Sequence, residues 1–234
     1  MRSIDQIICL WVTPICAVLI VLAFIFFPGF MPPMSPTMSE TEVAEFFREN
    51  VSAIRWSMVT FNLFDVMFLS MFVVAGVQMK RMATPSPALA YAFIGSTASV
   101  VTLFTVADLM WLVAAFRPER SPEITVLLND MAWIFFVTPV GLFASMCGFL
   151  ATAIFLDARP DPVLPRWVAW LNIGAALLTL PSVLSVVVLS GPFAWDGVFS
   201  FWLRWIVFAA YVTLMFFALR NAIKRQDAAE EAIA

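Results

Sequence analysis

Long apolar runs separated by short polar turns dominate this 234-residue chain. An α-helix needs about 20 apolar residues to cross a bilayer core of about 30 Å. Six runs reach that length: residues 7–27, 52–77, 88–116, 131–156, 167–189 and 199–219. The pattern predicts an all-α fold, an integral membrane bundle of six transmembrane helices in one domain, followed by a short cytoplasmic tail over 220–234. The first run follows Arg2 as a signal peptide would. It is about twice the usual apolar length of one, carries Asp5 in its leading segment and has no A-x-A site behind it, so it reads as an uncleaved span. Pro14 and Pro181 fall inside the first and fifth runs, where proline can kink a membrane helix.

The loops carry helix signals of their own. After Pro32, Pro33 and Pro36, the segment Ser39-Glu40-Thr41-Glu42 matches a capping box. It predicts a short amphipathic helix over 39–50 with Val43, Phe46 and Phe47 on one face. Such a helix lies on the outer membrane surface or caps the bundle as a lid, the former being the simpler expectation. Before the fourth run, Ser121, Pro122 and Glu123 supply an N-cap, a first-turn proline and a charge that complements the helix dipole. That helix therefore starts ahead of its apolar run. Gly141, Ser145, Gly148 and Thr152 on the fourth run, and Ala88, Ala92 and Ser96 on the third, recur at helical spacing and read as packing seams. No internal repeat argues for an inverted-repeat transporter.

Composition agrees with lipid as the solvent. The chain is 62% hydrophobic and 12% charged, with mean hydropathy +0.94, against about 45–50% and about 25% in soluble domains. The net charge of −3 is spread out, and no basic block suggests nucleic acid. Lysine and arginine set the orientation. With the N-terminus inside, Arg2, Lys80, Arg81, Arg159, Arg166, Arg220, Lys224 and Arg225 are cytoplasmic, Arg48, Arg55, Arg117 and Arg120 are outside, and Arg204 is within the last span. The positive-inside rule then puts both termini in the cytoplasm. Trp56, Trp133, Trp167, Trp170 and Trp195 sit near run ends, where an interfacial belt is expected.

Histidine is absent, which removes the commonest metal ligand and general base. It excludes a bis-histidine cytochrome, a histidine-rich di-iron oxygenase, an HExxH protease and a Ser–His protease. No cofactor or metal is signalled. Cys9, Cys16 and Cys147 each lie in an apolar run and read as small packing residues.

Charges inside spans are costly and tend to mark function. Asp65, Asp108 and Arg204 are the deep ones, with Arg55, Asp130 and Asp196 near the outer boundary. Arg55, Asn62 and Asp65 share a quadrant of the second span, Thr105 and Asp108 lie one turn apart on the third, and Asp196, Ser200, Arg204, Phe208 and Tyr211 follow helical spacing on the sixth. The expectation is that Arg204 pairs with Asp108 or Asp65. In it, Arg55, Asn62, Asp65, Asp108, Asp130 and Arg204 line a polar cavity open to the outer side. The alternative is that these are buried pairs that only fix helix register.

Known intramembrane chemistries do not fit. Asp65 follows Phe64 and Asp108 follows Ala107, unlike the Tyr-Asp and Gly-x-Gly-Asp of aspartyl intramembrane proteases. Lys80 and Lys224 stand at span ends, so no mid-span lysine is present for a Schiff base, and there is no P-loop. The sequence leans away from an enzyme. The segments FRPERSPEITVLLNDMAW at 116–133, Pro165-Arg166-Trp167 and Gly191-Pro192-Phe193-Ala194-Trp195 resemble a group of uncharacterised multi-spanning membrane proteins of actinobacteria and sphingomonad-like proteobacteria. That resemblance implies a bacterial inner membrane and brings no activity or catalytic residue with it.

Three functions stay open. The first is a binding or transport protein for a small, largely apolar solute taken from the outer side, its walls formed by 13 Met and 24 Phe. The second is an accessory subunit that meets a membrane-protein partner or a second copy through the small-residue stripes. The third is an intramembrane enzyme using Asp65 or Asp108.

Overall fold

The computed structural model describes residues 3–232; Arg2, counted above among the cytoplasmic charges, lies outside them. Regular structure among the described residues is helical. The α-helices are α1 (Ile4–Phe26), α2 (Glu40–Glu49), α3 (Val51–Phe64), α4 (Phe68–Met79), α5 (Ala88–Phe116), α6 (Pro122–Val137), α7 (Val140–Leu156), α8 (Arg166–Thr179) and α9 (Leu203–Glu231). They make six segments long and apolar enough to cross a membrane: α1, α3 with α4, α5, α6 with α7, α8 with a 3-10 extension, and α9 with a leading π-turn.

The fourth segment begins at Pro122, as expected, with the proline in its first turn but with no capping hydrogen bond from the Ser121 side chain, and the sixth continues to Glu231. Residues 220–231 of the expected tail are thus helix, and part of this stretch is buried. Ala222 and Ile223 are buried, and Ser3 Oγ donates to Asp227 Oδ1 at 2.8 Å. Gln78 Nε2 donates to Gln6 Oε1 at 2.7 Å and to Gln226 Oε1 at 3.0 Å, tying three spans together at the same end of the bundle.

Two apolar cores are stacked along the bundle. Near the termini, Leu10, Phe72, Phe143, Cys147 and Tyr211 belong to one. In the other half, Phe30 sits fully buried among Phe24, Trp111, Trp133, Phe136 and Phe201, its ring centre 4.0 Å from Phe24 and 5.3 Å from Trp133. Offset and edge-on ring pairs of this kind add about 0.5–1.5 kcal/mol each beyond area burial. Phe104 packs against both cores.

This aromatic core departs from two sequence expectations. Trp56, Trp167 and Trp170 are exposed as a belt would be, but Trp133 and Trp195 are buried, since each has aromatic neighbours to stack on. The capping box forms as read. However, Val43 and Phe47 of α2 turn into the aromatic core, so α2 closes the bundle end away from the termini. The stripe Gly141, Ser145, Gly148 and Thr152 is exposed, and a methyl group on either glycine would meet nothing within 4 Å. It is no seam within this chain, because α7 packs through the opposite face, with Phe143, Cys147, Leu150 and Ile154.

Three spans lose α-geometry part-way. The second tightens into a 3-10 turn at Asp65–Met67, halfway along Val51–Met79. The fourth breaks at Thr138-Pro139: proline has no N–H to continue the ladder, and Val140 N donates to Thr138 O instead. The fifth becomes 3-10 over Leu180–Val186, beside Pro181, whereas α1 runs through Pro14 unbroken. Irregular backbone at this depth is tolerated only where protein or a cavity takes up its polar groups.

Candidate binding cavity

The polar residues of the second and third spans form one antiparallel ladder. Arg55 donates from Nε to Ala115 O at 3.1 Å and from Nη2 to Phe116 O at 2.8 Å. Seven residues on, Asn62 Nδ2 donates to Asp108 Oδ2 at 2.6 Å, and three further on Asp65 Oδ2 accepts from Thr105 Oγ1 at 2.7 Å. Each step along the second span is matched by an equal step back along α5, which is the register of two antiparallel helices meeting on one face. Asp65 Oδ1 accepts from its neighbour's amide, Val66 N. Asp108 is fully buried, and its Oδ1 has no partner.

Arg204 takes a different place from the one expected. Its Nη1 donates to Phe136 O at 2.6 Å and to Val137 O at 3.0 Å, and its guanidinium lies 4.8 Å from the centre of the Phe136 ring. Among the described residues no ion pair joins it to Asp65 or Asp108. The physical reason is the Pro139 break, which strips the last carbonyls of α6 of their helical donors. A cation at a helix C-terminus satisfies both the lone pairs and the dipole. Arg55 does the same for α5, so two charges that looked like site residues complete helix ends.

Half-way along the bundle, between the two cores, lies a cavity of about 260 Å³. Of the six residues expected to line a common cavity, Asp65 and Arg204 do so; Arg55, Asn62, Asp108 and Asp130 do not. Asp65 comes to it on the 3-10 turn, and Arg204 from the start of α9. Apart from Thr97, Thr179 and Thr213 the walls are otherwise apolar, with many aromatic rings, including Phe24, Phe61, Phe104, Phe136 and Phe208. Sequence reasoning missed Pro139, Thr97, Thr179 and Trp205, which also line it. The Thr138-Pro139 pair was the available signal for the first of these.

The cavity opens sideways. Val21 on α1 lines it and is 43% exposed on the bundle's outer surface, and Ala209 and Thr213 on α9, which also line it, are exposed. The mouth is therefore a gap between α1 and α9, facing whatever surrounds the spans. The bundle end beyond it is closed by α2 and by Trp195, whose Nε1 donates to Met34 O at 2.8 Å.

The hydrogen-bonding capacity left in the cavity is unequal. Thr97 and Thr179 turn their hydroxyl protons to their own helix, on Phe93 O and Ala175 O. Arg204 uses Nη1 alone, so Nε and Nη2 are donors with no partner among the described residues. No metal-binding group of three His, Cys, Asp or Glu occurs among the described residues. A largely apolar chamber with the unused Arg204 donors, the unpartnered Trp205 Nε1 and one carboxyl group suits an amphipathic guest. The fold and cavity define a six-span helical bundle. No family model, curated protein or solved structure matches the chain.

Proposed function

We propose that the protein is a multi-pass protein of a bacterial inner membrane that binds a small, largely apolar solute for transport. The solute carries a hydrogen-bond acceptor at one end. The cavity half-way along the bundle carries this reading. Its aromatic walls hold the apolar body, and the unused Arg204 donors take a carbonyl or similar group. The gap between α1 and α9 admits the solute from the lipid. Both termini face the cytoplasm by the lysine and arginine distribution, so the half closed by α2 faces outwards and the solute arrives through the side of the bundle.

Ala209 lines the mouth and is exposed, so Ala209→Trp blocks the gap without disturbing packing, and Ile206→Trp, on the exposed surface nearby, serves as control. Mass spectrometry of protein extracted in mild detergent should find a co-purifying small molecule, reduced at least tenfold by Ala209→Trp and unchanged by the control. Equal occupancy in both variants would sink the proposal.

A second reading rests on the exposed stripe of Gly141, Ser145, Gly148 and Thr152. Small residues on an open helix face suit close approach of another membrane helix, as in an accessory subunit or a second copy of this chain. Gly148→Leu would then lower the oligomer fraction in a cross-linking series; an unchanged fraction removes this reading.

A further inference from the structure

A second, smaller pocket lies at the end of the bundle where Ser3 meets Asp227. It has a volume of about 50 Å³ and is lined by Arg81, Arg159 and Arg225 with Val163, Ala222 and Ala229. The three arginines come from three separate stretches of chain. Arg81 follows the end of α4, Arg159 follows the end of α7, and Arg225 stands on α9. We propose that this pocket binds a phosphate group, carried by the headgroup of an anionic phospholipid.

Each guanidinium is anchored through one nitrogen. Arg81 Nη1 donates to Gln78 Oε1 at 2.5 Å and Arg159 Nη1 to Arg81 O at 3.0 Å. Arg225 Nη2 donates to Asp161 Oδ2 at 2.6 Å and to Pro162 O at 2.9 Å. The other two nitrogens of each group have no hydrogen-bond partner among the described residues. Pre-positioned forks of N–H donors are what a phosphate needs, and arginine binds it bidentately.

The surrounding loop holds this arrangement in place. Asp157 accepts from the amides of Ala83, Arg159 and Val163, at 2.9, 3.3 and 2.9 Å, so that carboxylate fixes the backbone around the pocket. Asp161 is the acidic lining residue, and its side chain is 81% exposed. Burial lowers the pKa of Arg81, the Arg159 and Arg225 charges lower it further, and Glu230 opposes them. Like charges held together by the backbone are relieved by a bound anion. The pocket is level with the ends of the spans, where lipid phosphates lie, and basic pockets between spans on a cytoplasmic face suit such headgroups.

Native mass spectrometry of the full chain in detergent, with phosphatidylglycerol and phosphatidylethanolamine added separately, tests the assignment. Phosphatidylglycerol should be retained at least fivefold over phosphatidylethanolamine. The pair of changes Arg159→Gln and Arg225→Gln, both at exposed positions, should remove that preference, and Asp161→Asn should increase it. A doubly substituted protein with wild-type melting and wild-type retention overturns the proposal. Displacement of phosphatidylglycerol by millimolar inorganic phosphate, with a matching rise in Tm, overturns the lipid as the source in favour of free phosphate.

Discussion

Arg204 and Phe136 meet twice: the guanidinium donates to the Phe136 main-chain carbonyl at 2.6 Å and lies 4.8 Å from the centre of the same residue's ring. One side chain thereby ends α6, bridges the sixth span to the fourth and forms part of the cavity wall. Position and charge are coupled, because the carbonyls it caps exist only where Pro139 breaks the span.

Arg204→Ala should therefore destabilise the bundle by about 2–4 kcal/mol, from the loss of charge-assisted bonds and of a helix-end charge. Arg204→Lys should recover part of this, since an ammonium keeps the charge but not the planar fork that also stacks on the ring. Unfolding from mild into denaturing detergent measures both. An alanine variant within about 0.5 kcal/mol of the parent, the usual spread of a surface change, would show that the carbonyls find other donors.

The Asn62–Asp108 bond predicts an asymmetry. Asp108 Oδ1 has no donor, so Asn62→Leu would leave the whole buried carboxylate without a partner. That change should cost about 2–3 kcal/mol, more than a typical interhelical bond in a membrane. Replacing both residues by leucine should be milder than Asn62→Leu alone, because no buried polar group is then left unpaired. A double-mutant cycle in the same unfolding assay decides it; a double variant worse than Asn62→Leu would refute the account.

Six apolar runs were legible in the sequence because span length is set by bilayer thickness and needs no knowledge of neighbours. The same is true of the capping box at Ser39 and the start at Pro122, which are local chemistry. The Asn62, Asp65, Thr105 and Asp108 faces were also readable, since helical spacing alone brings them together. What could not be read were pairings between spans. Arg204 was expected opposite a carboxylate because charge is visible in sequence, whereas a carbonyl orphaned at Phe136 is not. Trp133 was assigned to the interface from its position, and ring stacking with Phe30 and Trp195 buries it instead.

The α2 cap should weaken in acid. Ser39 N and Ser39 Oγ donate to Glu42 Oε2 at 2.7 and 2.8 Å, and these bonds, the amide first, hold the Glu42 carboxyl below the usual glutamate range. A depressed folded pKa means that the stabilisation is present above the unfolded glutamate value, about 4.3, and is lost as pH falls through the lower, folded value. Amide exchange across α2 should therefore accelerate below about pH 4, once corrected for intrinsic rates. Glu42→Gln should abolish that acid dependence. Identical profiles for the parent and Glu42→Gln would remove Glu42 as its cause.

Trp195 offers a test of how the far end of the bundle is closed. Its Nε1 donates to Met34 O at 2.8 Å while its ring stacks on Trp133 at 6.2 Å, so it pins the chain between α1 and α2 to the aromatic core. Trp195→Phe keeps a ring and loses the donor. It should cost about 1 kcal/mol, which corresponds to roughly fivefold faster exchange of amides around Met34 and α2 if that segment opens locally. Trp195→Ala removes the ring as well and should cost about 3–5 kcal/mol, as expected for emptying an aromatic site, with faster exchange reaching α6 through Trp133. If Trp195→Phe left exchange around Met34 unchanged, the hydrogen bond would not be what holds the segment down, and the seal would rest on Val43 and Phe47 alone.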